Sequence, residues 1–178
     1  MNVIQKMIFA TGVSTVSGVN MHQMFTDLNL VPAFEDLDDE YVDLLKPLFE
    51  PFSCYAGSIV LQQDTPAEYL YLILNGKVEI SFKPYDGTPI TISHVKKGSW
   101  FGWSAVVGSR KYTSSVIAIE ELETIRIHGN KLRKLCLDEP EAGKVVLECL
   151  ADNVSSRWKD AHKQVKSILA KGMKHKQY

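Results

Sequence analysis

Between Phe101 and Ala118 the chain reads FGWSAVVGSRKYTSSVIA, and this stretch holds the residues best suited to chemistry. Gly98, Gly102 and Gly108 punctuate it, and Gly102 stands between an extended Trp100–Phe101 pair and a helical turn over WSAV. Backbone N–H groups at the opening of a helical turn bind an anion without any charged side chain. Around them the stretch supplies cations (Arg110, with Lys111 a weaker candidate), hydroxyls (Ser104, Thr113, Ser114, Ser115) and aromatic surface (Trp100, Phe101, Trp103, Tyr112). Two ligand chemistries fit: an anion held by amides and a guanidinium, or an uncharged or aromatic molecule held by rings and hydroxyls. The competing reading is structural, with the aromatics in the core and Arg110 a solvated loop residue.

Other chemistries are poorly served. The five histidines (His22, His94, His128, His162, His175) form neither H-x-H nor H-x-x-x-H, which argues against a metal site and against a metal-dependent cupin enzyme. The sequence contains no nucleophile elbow, P-loop or dinucleotide fingerprint, so the chain reads as a non-enzyme. Cys54, Cys136 and Cys149 are odd in number and lack C-x-x-C spacing, which argues against a disulfide framework and zinc and points to the cytoplasm. A net charge of −1 over 178 residues gives no general pull toward nucleic acid or an anionic membrane. No apolar run is long enough to span a bilayer, and the opening MNVIQKMIFATGVSTVSGVN is a poor signal peptide. Met21 is an alternative start, with residues 1–24 an N-terminal extension.

The elements that must position the loop follow from hydrophobic period. Residues 25–50 read as a helical segment, with Asp38 as cap, Leu37, Tyr41, Leu44, Leu45 and Leu48 on one face, and Pro47 marking the end. Over residues 51–128 the period becomes two. KVEISFK sets Val78, Ile80 and Phe82 inward and Glu79 and Ser81 outward, while YLYLIL (Tyr69 to Leu74) is apolar on both sides. Asn75-Gly76 and Asp86-Gly87 predict tight hairpin turns with positive φ. About eight closely spaced strands predict a mainly β, α+β fold: an antiparallel jelly roll, or double-stranded β-helix, with flanking helices. Residues 129–170 return to helical period, first a short helix capped by Asn130, then a long one opened by Pro140. Leu147, Leu150, Val154, Trp158, Ala161, Val165 and Ile168 are spaced 3, 4, 4, 3, 4 and 3, a heptad-like seam that predicts either a helix laid on the roll or a homodimer. Residues 171–178 form a short basic tail.

This order of elements, with YAGSIVLQQDTPAEYLYLILNGKVEIS, KKGSWFGWSA and YTSSVIA as landmarks, resembles the cyclic-nucleotide-binding domain family, the sensory half of catabolite-activator-like regulators. The resemblance runs from about Leu37 to Ala170. It implies a β-roll whose loop after the sixth strand is the family's phosphate-binding cassette, with Gly102, Ala105 and Thr113 at matching positions. It also marks two departures. The family glutamate that holds the ribose 2′-hydroxyl is replaced by Trp103, and the arginine that pairs with the cyclic phosphate aligns with Tyr112. Indole only donates a hydrogen bond, so Trp103 cannot accept from the ribose. A two-residue bulge would bring Arg110 into the arginine's place.

The expected function is therefore a cytoplasmic sensory domain, dimeric through its long helix, that takes a small molecule other than ordinary cAMP. The candidate ligand residues are Phe101, Gly102, Trp103, Ser104, Ala105, Arg110, Tyr112, Thr113 and Ser114. No cofactor is certain; a cyclic nucleotide or a small aromatic ligand fits the pocket, and relatives with this roll sense haem, halogenated phenols and 2-oxoglutarate. The alternative is a scaffold that binds no ligand. The family's regulators follow the long helix with a helix-turn-helix domain, whereas only the basic tail follows Ala170 here, so direct DNA binding is not expected.

Overall fold

The computed structural model describes Phe34 and residues 37–107 and 110–151. The first helix, α1 (Asp39–Leu45), carries Asp39 and Glu40 in its first turn, where acidic groups complement the helix dipole. Asp38 stands at the N-cap position but makes no capping bond with its side chain. Val42 and Leu45 are the buried pair, whereas Leu44, expected inward, is exposed because it lies outside the stripe those two define. A 3₁₀ turn over Lys46–Leu48 contains Pro47 and hands the chain to the first strand.

Eight strands follow: β1 (Phe49–Cys54), β2 (Ile59–Leu61), β3 (Tyr69–Asn75), β4 (Lys77–Phe82), β5 (Ile90–Lys96), β6 (Trp100–Phe101), β7 (Ser115–Ala118) and β8 (Leu122–His128). They pair antiparallel into two four-stranded sheets, β1-β8-β3-β6 and β2-β7-β4-β5. The mainly β fold expected from the period-two text is thus present, as a roll of two facing sheets with helices against one of them.

β3 is apolar on both sides because it serves two cores. Leu70 and Leu72 pack with Phe34, Val42, Phe49, Trp100 and Ile125 in a cluster shared with the helices. Tyr71 and Ile73 point the other way, to Leu61, Val78, Phe101, Tyr112, Val116 and Leu122 inside the roll. On β4, Val78 is in that interior cluster and Ile80 packs against it. Phe82, expected inward, is 41% exposed at the strand's end. Ser81, expected at the solvent face, lies buried in a groove of about 450 Å³ on the outer side of the sheet, walled by Gln63, Lys83 and Tyr85. The side chain of Gln63 bridges the groove to the backbone of Lys83 at 2.8 and 3.0 Å.

Two turns differ from the hairpins expected. Asn75-Gly76 joins β3 to β4, but those strands belong to different sheets, so the pair forms the corner of the roll. Gly76 takes φ +89°, and a Cβ there would sit 2.2 Å from the Glu121 carbonyl oxygen. Asp86-Gly87 does lie in the β4–β5 hairpin, but Gly87 keeps an ordinary φ and its N–H donates to Pro84 O at 3.2 Å. The reason is loop length: a connection longer than two residues does not need the mirror-image turn.

After β8 comes α2 (Gly129–Asp138). Its cap is His128, not Asn130, with His128 Nδ1 accepting from Asn130 N–H at 3.1 Å. Asn130 Oδ1 instead accepts from Arg133. A further helix, α3 (140–151), opens at Pro140. Val146 and Leu150 bury against the domain's own helical cluster, while Leu147 is exposed. The rest of the expected seam (Val154, Trp158, Ala161, Val165 and Ile168) lies outside the described residues, as do residues 1–33 and the basic tail.

Replacing Gly76 with Ala is expected to lower the unfolding free energy by about 2 kcal/mol or more, because a positive φ and a backbone clash coincide. Urea denaturation measures it, and a midpoint equal to that of the unmutated protein would show the corner to be plastic.

Candidate ligand-binding site

The loop over residues 101–118 is anchored at both ends by strands. β6 lies against β3 with Phe101 opposite Tyr71 and Trp100 opposite Leu72. Gly102 then takes φ +88°, with the place for a Cβ only 2.6 Å from Tyr69 O, so only glycine lets the chain pass this close. The 3₁₀ turn Trp103–Ala105 follows, closed by Ala105 N–H to Gly102 O at 3.0 Å and Val106 N–H to Trp103 O at 2.9 Å. Helix α2 clamps this turn. Arg133 Nη1 donates to Ala105 O at 2.7 Å, and a Cβ at Gly129 would stand 2.1 Å from that same oxygen.

The candidate residues do not converge on one space. Phe101 is in the roll interior, stacked on Tyr71 with centroids 4.9 Å apart and planes 6° from parallel. Trp103 packs on the helical cluster, on the far side of the sheet from the interior, with its indole N–H buried and unpartnered among the described residues. Ala105 is buried; Gly102, Ser104 and Ser114 are half-buried; Thr113 and Arg110 are exposed. The two-residue slip that would bring Arg110 inward is not made. Tyr112 N–H donates to Thr65 O at 3.0 Å and Asp64 N–H donates to Tyr112 O at 2.9 Å, while Ala67 N–H donates to Arg110 O at 2.7 Å. These bonds fix the register and leave Arg110, at φ +60°, on the outside.

Tyr112 itself is 6% exposed and points inward. Its hydroxyl accepts from Tyr69 N–H at 3.0 Å and Glu68 N–H at 3.2 Å, and donates to Tyr69 O at 3.0 Å. A neutral hydroxyl thus closes a bridge from the loop to the start of β3. Burial raises its pKa, so the group stays protonated.

The inner face of sheet β1-β8-β3-β6 also carries a cation that sequence reasoning missed. In LETIRIH, Leu122 lies on the interior side and Ile125 and Ile127 on the helical side, which puts Arg126 inside. Its cross-strand neighbours are Glu50 on β1 and Tyr71 on β3. The guanidinium carbon lies 4.1 Å from the Tyr69 ring centroid and 5.1 Å from that of Phe52. Arg126 Nη2 stands 3.6 Å from Glu50, whose other oxygen accepts from Lys131 at 2.8 Å. Among the described residues Arg126 Nε is buried without a partner, a situation that costs about 1–3 kcal/mol when nothing bonds the group. Burial pushes the Tyr71 hydroxyl up to about 12, although the adjacent Arg126 charge pulls the other way. The signal in the sequence is alternation: Arg126 stands between Ile125 and Ile127, on the opposite face from both.

Among the described residues no three His, Cys, Asp or Glu side chains gather as a metal site, and no helix is long and apolar enough to cross a membrane. A family model, the cyclic nucleotide-binding domain, matches residues 51–139, half of the 178-residue chain. The chain belongs to the cyclic nucleotide-binding domain family. A CRP-like cAMP-activated global transcriptional regulator of Mycobacterium tuberculosis is 25% identical over 118 residues, covering 66% of this chain. This chain spans about half the length of that regulator, 53%. A cyclic nucleotide-binding domain from Methylobacillus flagellatus superposes with a TM-score of 0.70 at 22% identity, covering 83% of both chains. The regulatory subunit of a cAMP-independent protein kinase A from Trypanosoma cruzi, solved with guanosine, gives 0.62 at 19% identity, covering 86% of this chain and 50% of that one.

Two outcomes check this geometry. Tyr112→Phe leaves the Tyr69 and Glu68 backbone groups short of a partner and is expected to cost about 1–3 kcal/mol in thermal unfolding; a stability unchanged within error would show that water replaces the bridge. Glu50 is held below its ordinary value of 4.5, first by its hydrogen bond from Lys131. A depressed folded pKa contributes stability above the unfolded value and loses it as pH falls through the folded one. Glu50→Gln should therefore flatten the acid limb of a melting-temperature profile below the ordinary carboxylate value while leaving its shape near neutrality unchanged; an unaltered acid limb would remove Glu50 from that limb.

Proposed function

We propose that this domain is a sensory and regulatory module whose roll takes a small molecule other than ordinary cAMP, beneath the cassette formed by Phe101, Gly102, Trp103, Ser104 and Ala105. One observation carries the reading. At the position of the phosphate-pairing arginine, Tyr112 turns inward and spends its hydroxyl on the backbone of Tyr69 and Glu68. A phosphate in that place would meet one neutral phenol already bonded three times. Losing a charged contact from a closed site costs about 2–5 kcal/mol, which weakens binding by roughly 30- to several thousand-fold. Arg110 gives no compensation from its exposed position.

At the cassette the recognition that remains is by rings and neutral hydrogen bonds, and guanosine, seen in the Trypanosoma cruzi regulatory subunit, is the precedent to try first. A second reading, a scaffold without a ligand, is favoured by the close filling of the interior by Tyr71, Phe101 and Tyr112. Dimerisation belongs to the same proposal: Leu147 is the exposed start of a seam on α3. Trp158→Ala should then shift sedimentation toward the monomer, and an unmutated protein that sediments as a monomer at micromolar concentration ends that part.

Calorimetry decides the main reading. The unmutated protein is expected to give no measurable heat with cAMP at micromolar concentrations, and Tyr112→Arg is expected to create binding by restoring the fork of donors. Micromolar cAMP affinity in the unmutated protein would overturn the proposal. Thermal shift against guanosine and small aromatics separates the two readings. A saturating ligand at about a hundredfold over its Kd adds about 2.7 kcal/mol, and no shift with any of them leaves the scaffold.

A further inference from the structure

The cassette has lost its cation, yet the roll interior has not. Arg126 reaches inward from β8, and its side chain is 25% exposed, so it is reachable from solvent while most of it is covered. The ion pairs of Arg126 and Lys131 both end on the one carboxylate of Glu50. Two cations share one anion, and Lys131 holds it the closer, at 2.8 Å against 3.6 Å. One positive charge is left over at the interior side. Arg126 Nε, buried and unpartnered, is a donor without an acceptor, and buried polar groups in native structures are otherwise almost always satisfied. The guanidinium carbon stands 4.1 Å over the Tyr69 ring centroid, so the ring covers one face and hydrogen bonding is left to the edge, part of which the Tyr71 hydroxyl already uses.

We propose that Arg126 is the anion anchor of this domain: the Nε edge of its guanidinium receives a carboxylate or phosphate oxygen of a small molecule inside the roll, with Glu50 yielding its weak contact. This rests on the reading that the roll takes a small ligand other than ordinary cAMP. It adds that the charged end of that ligand faces β8, on the sheet opposite β7, and not the cassette. Tyr71, directly across from Arg126 on β3 and protonated, accepts from that guanidinium and keeps its own O–H proton to donate.

The experiment uses the full chain and the Arg126 Nε–Hε resonance in ¹⁵N-resolved NMR, assigned by its disappearance in Arg126→Lys. Benzoate and inorganic phosphate are the probes, so that a carboxylate on a ring and a free phosphate are told apart. Saturable movement of the Arg126 resonance with either one supports the proposal, and the probe that acts names the source. Arg126→Lys should weaken that binding by about tenfold or more, because an ammonium cannot offer the planar edge. Glu50→Gln should strengthen it severalfold, since it removes the competing carboxylate; a purely structural arginine would show neither effect. If guanosine or either probe shifts the Gly102–Ala105 amides while the Arg126 resonance stays still, this inference fails and the sensory reading stands. If nothing in the roll moves with benzoate, phosphate or guanosine, both fail.

Discussion

The double burial of β3 is the constraint on which the rest of the domain depends. Leu70 and Leu72 close the helical cluster on one side, and Tyr71 and Ile73 close the roll interior on the other. Both cores have their central strand in common, so an alternation error in β3 would exchange apolar contacts on both faces at once. The functional geometry hangs from the same strand. Phe101 stacks on Tyr71, Tyr112 bonds the backbone at Tyr69, and Arg126 lies across from Tyr71 and over the Tyr69 ring. The loop over 101–118 is therefore tied to the first residues of β3.

The turn over Gly102 to Ala105 is held for reasons that do not involve a ligand. Gly102 passes Tyr69 O at a distance no side chain allows, and Ala105 O is held from outside by Arg133 with Gly129 beneath it. Backbone shape and ligand chemistry are thus carried by different residues. That separation lets the loop hold its turn whatever Trp103 and Tyr112 contact. Each of the two finds an apolar or backbone partner, Trp103 in the helical cluster and Tyr112 in the interior.

Charge inside the roll follows another rule. A half-buried arginine is tolerated when an anion stands near it and its flat face is covered, and Arg126 has a 3.6 Å contact with Glu50, shared with Lys131, and the rings of Tyr69 and Phe52. What it lacks is a partner for Nε. The interior is polar along one edge, where Glu50, Arg126 and the Tyr71 hydroxyl meet, and apolar beyond it at Ile73 and Leu122.

By itself the sequence determined the class of fold and the loop. Period two from Phe52 to His128, the apolar run of Tyr69 to Leu74, and Gly102 before a helical turn are local facts, since backbone alternation and glycine's freedom act within a few residues. Only the tertiary structure decided the rest. It made Asn75-Gly76 a corner between sheets, because strand partners are chosen at long range. It buried Ser81 through segments distant in the chain, at Gln63 and Ser115. It sent Trp103 to the helical side and Arg126 to the inside, because which face of a sheet becomes a pocket depends on where the second sheet and the helices close. And it kept Arg110 in solvent, since hydrogen bonds from Asp64 and Ala67, more than forty residues earlier, hold the register of the cassette's return.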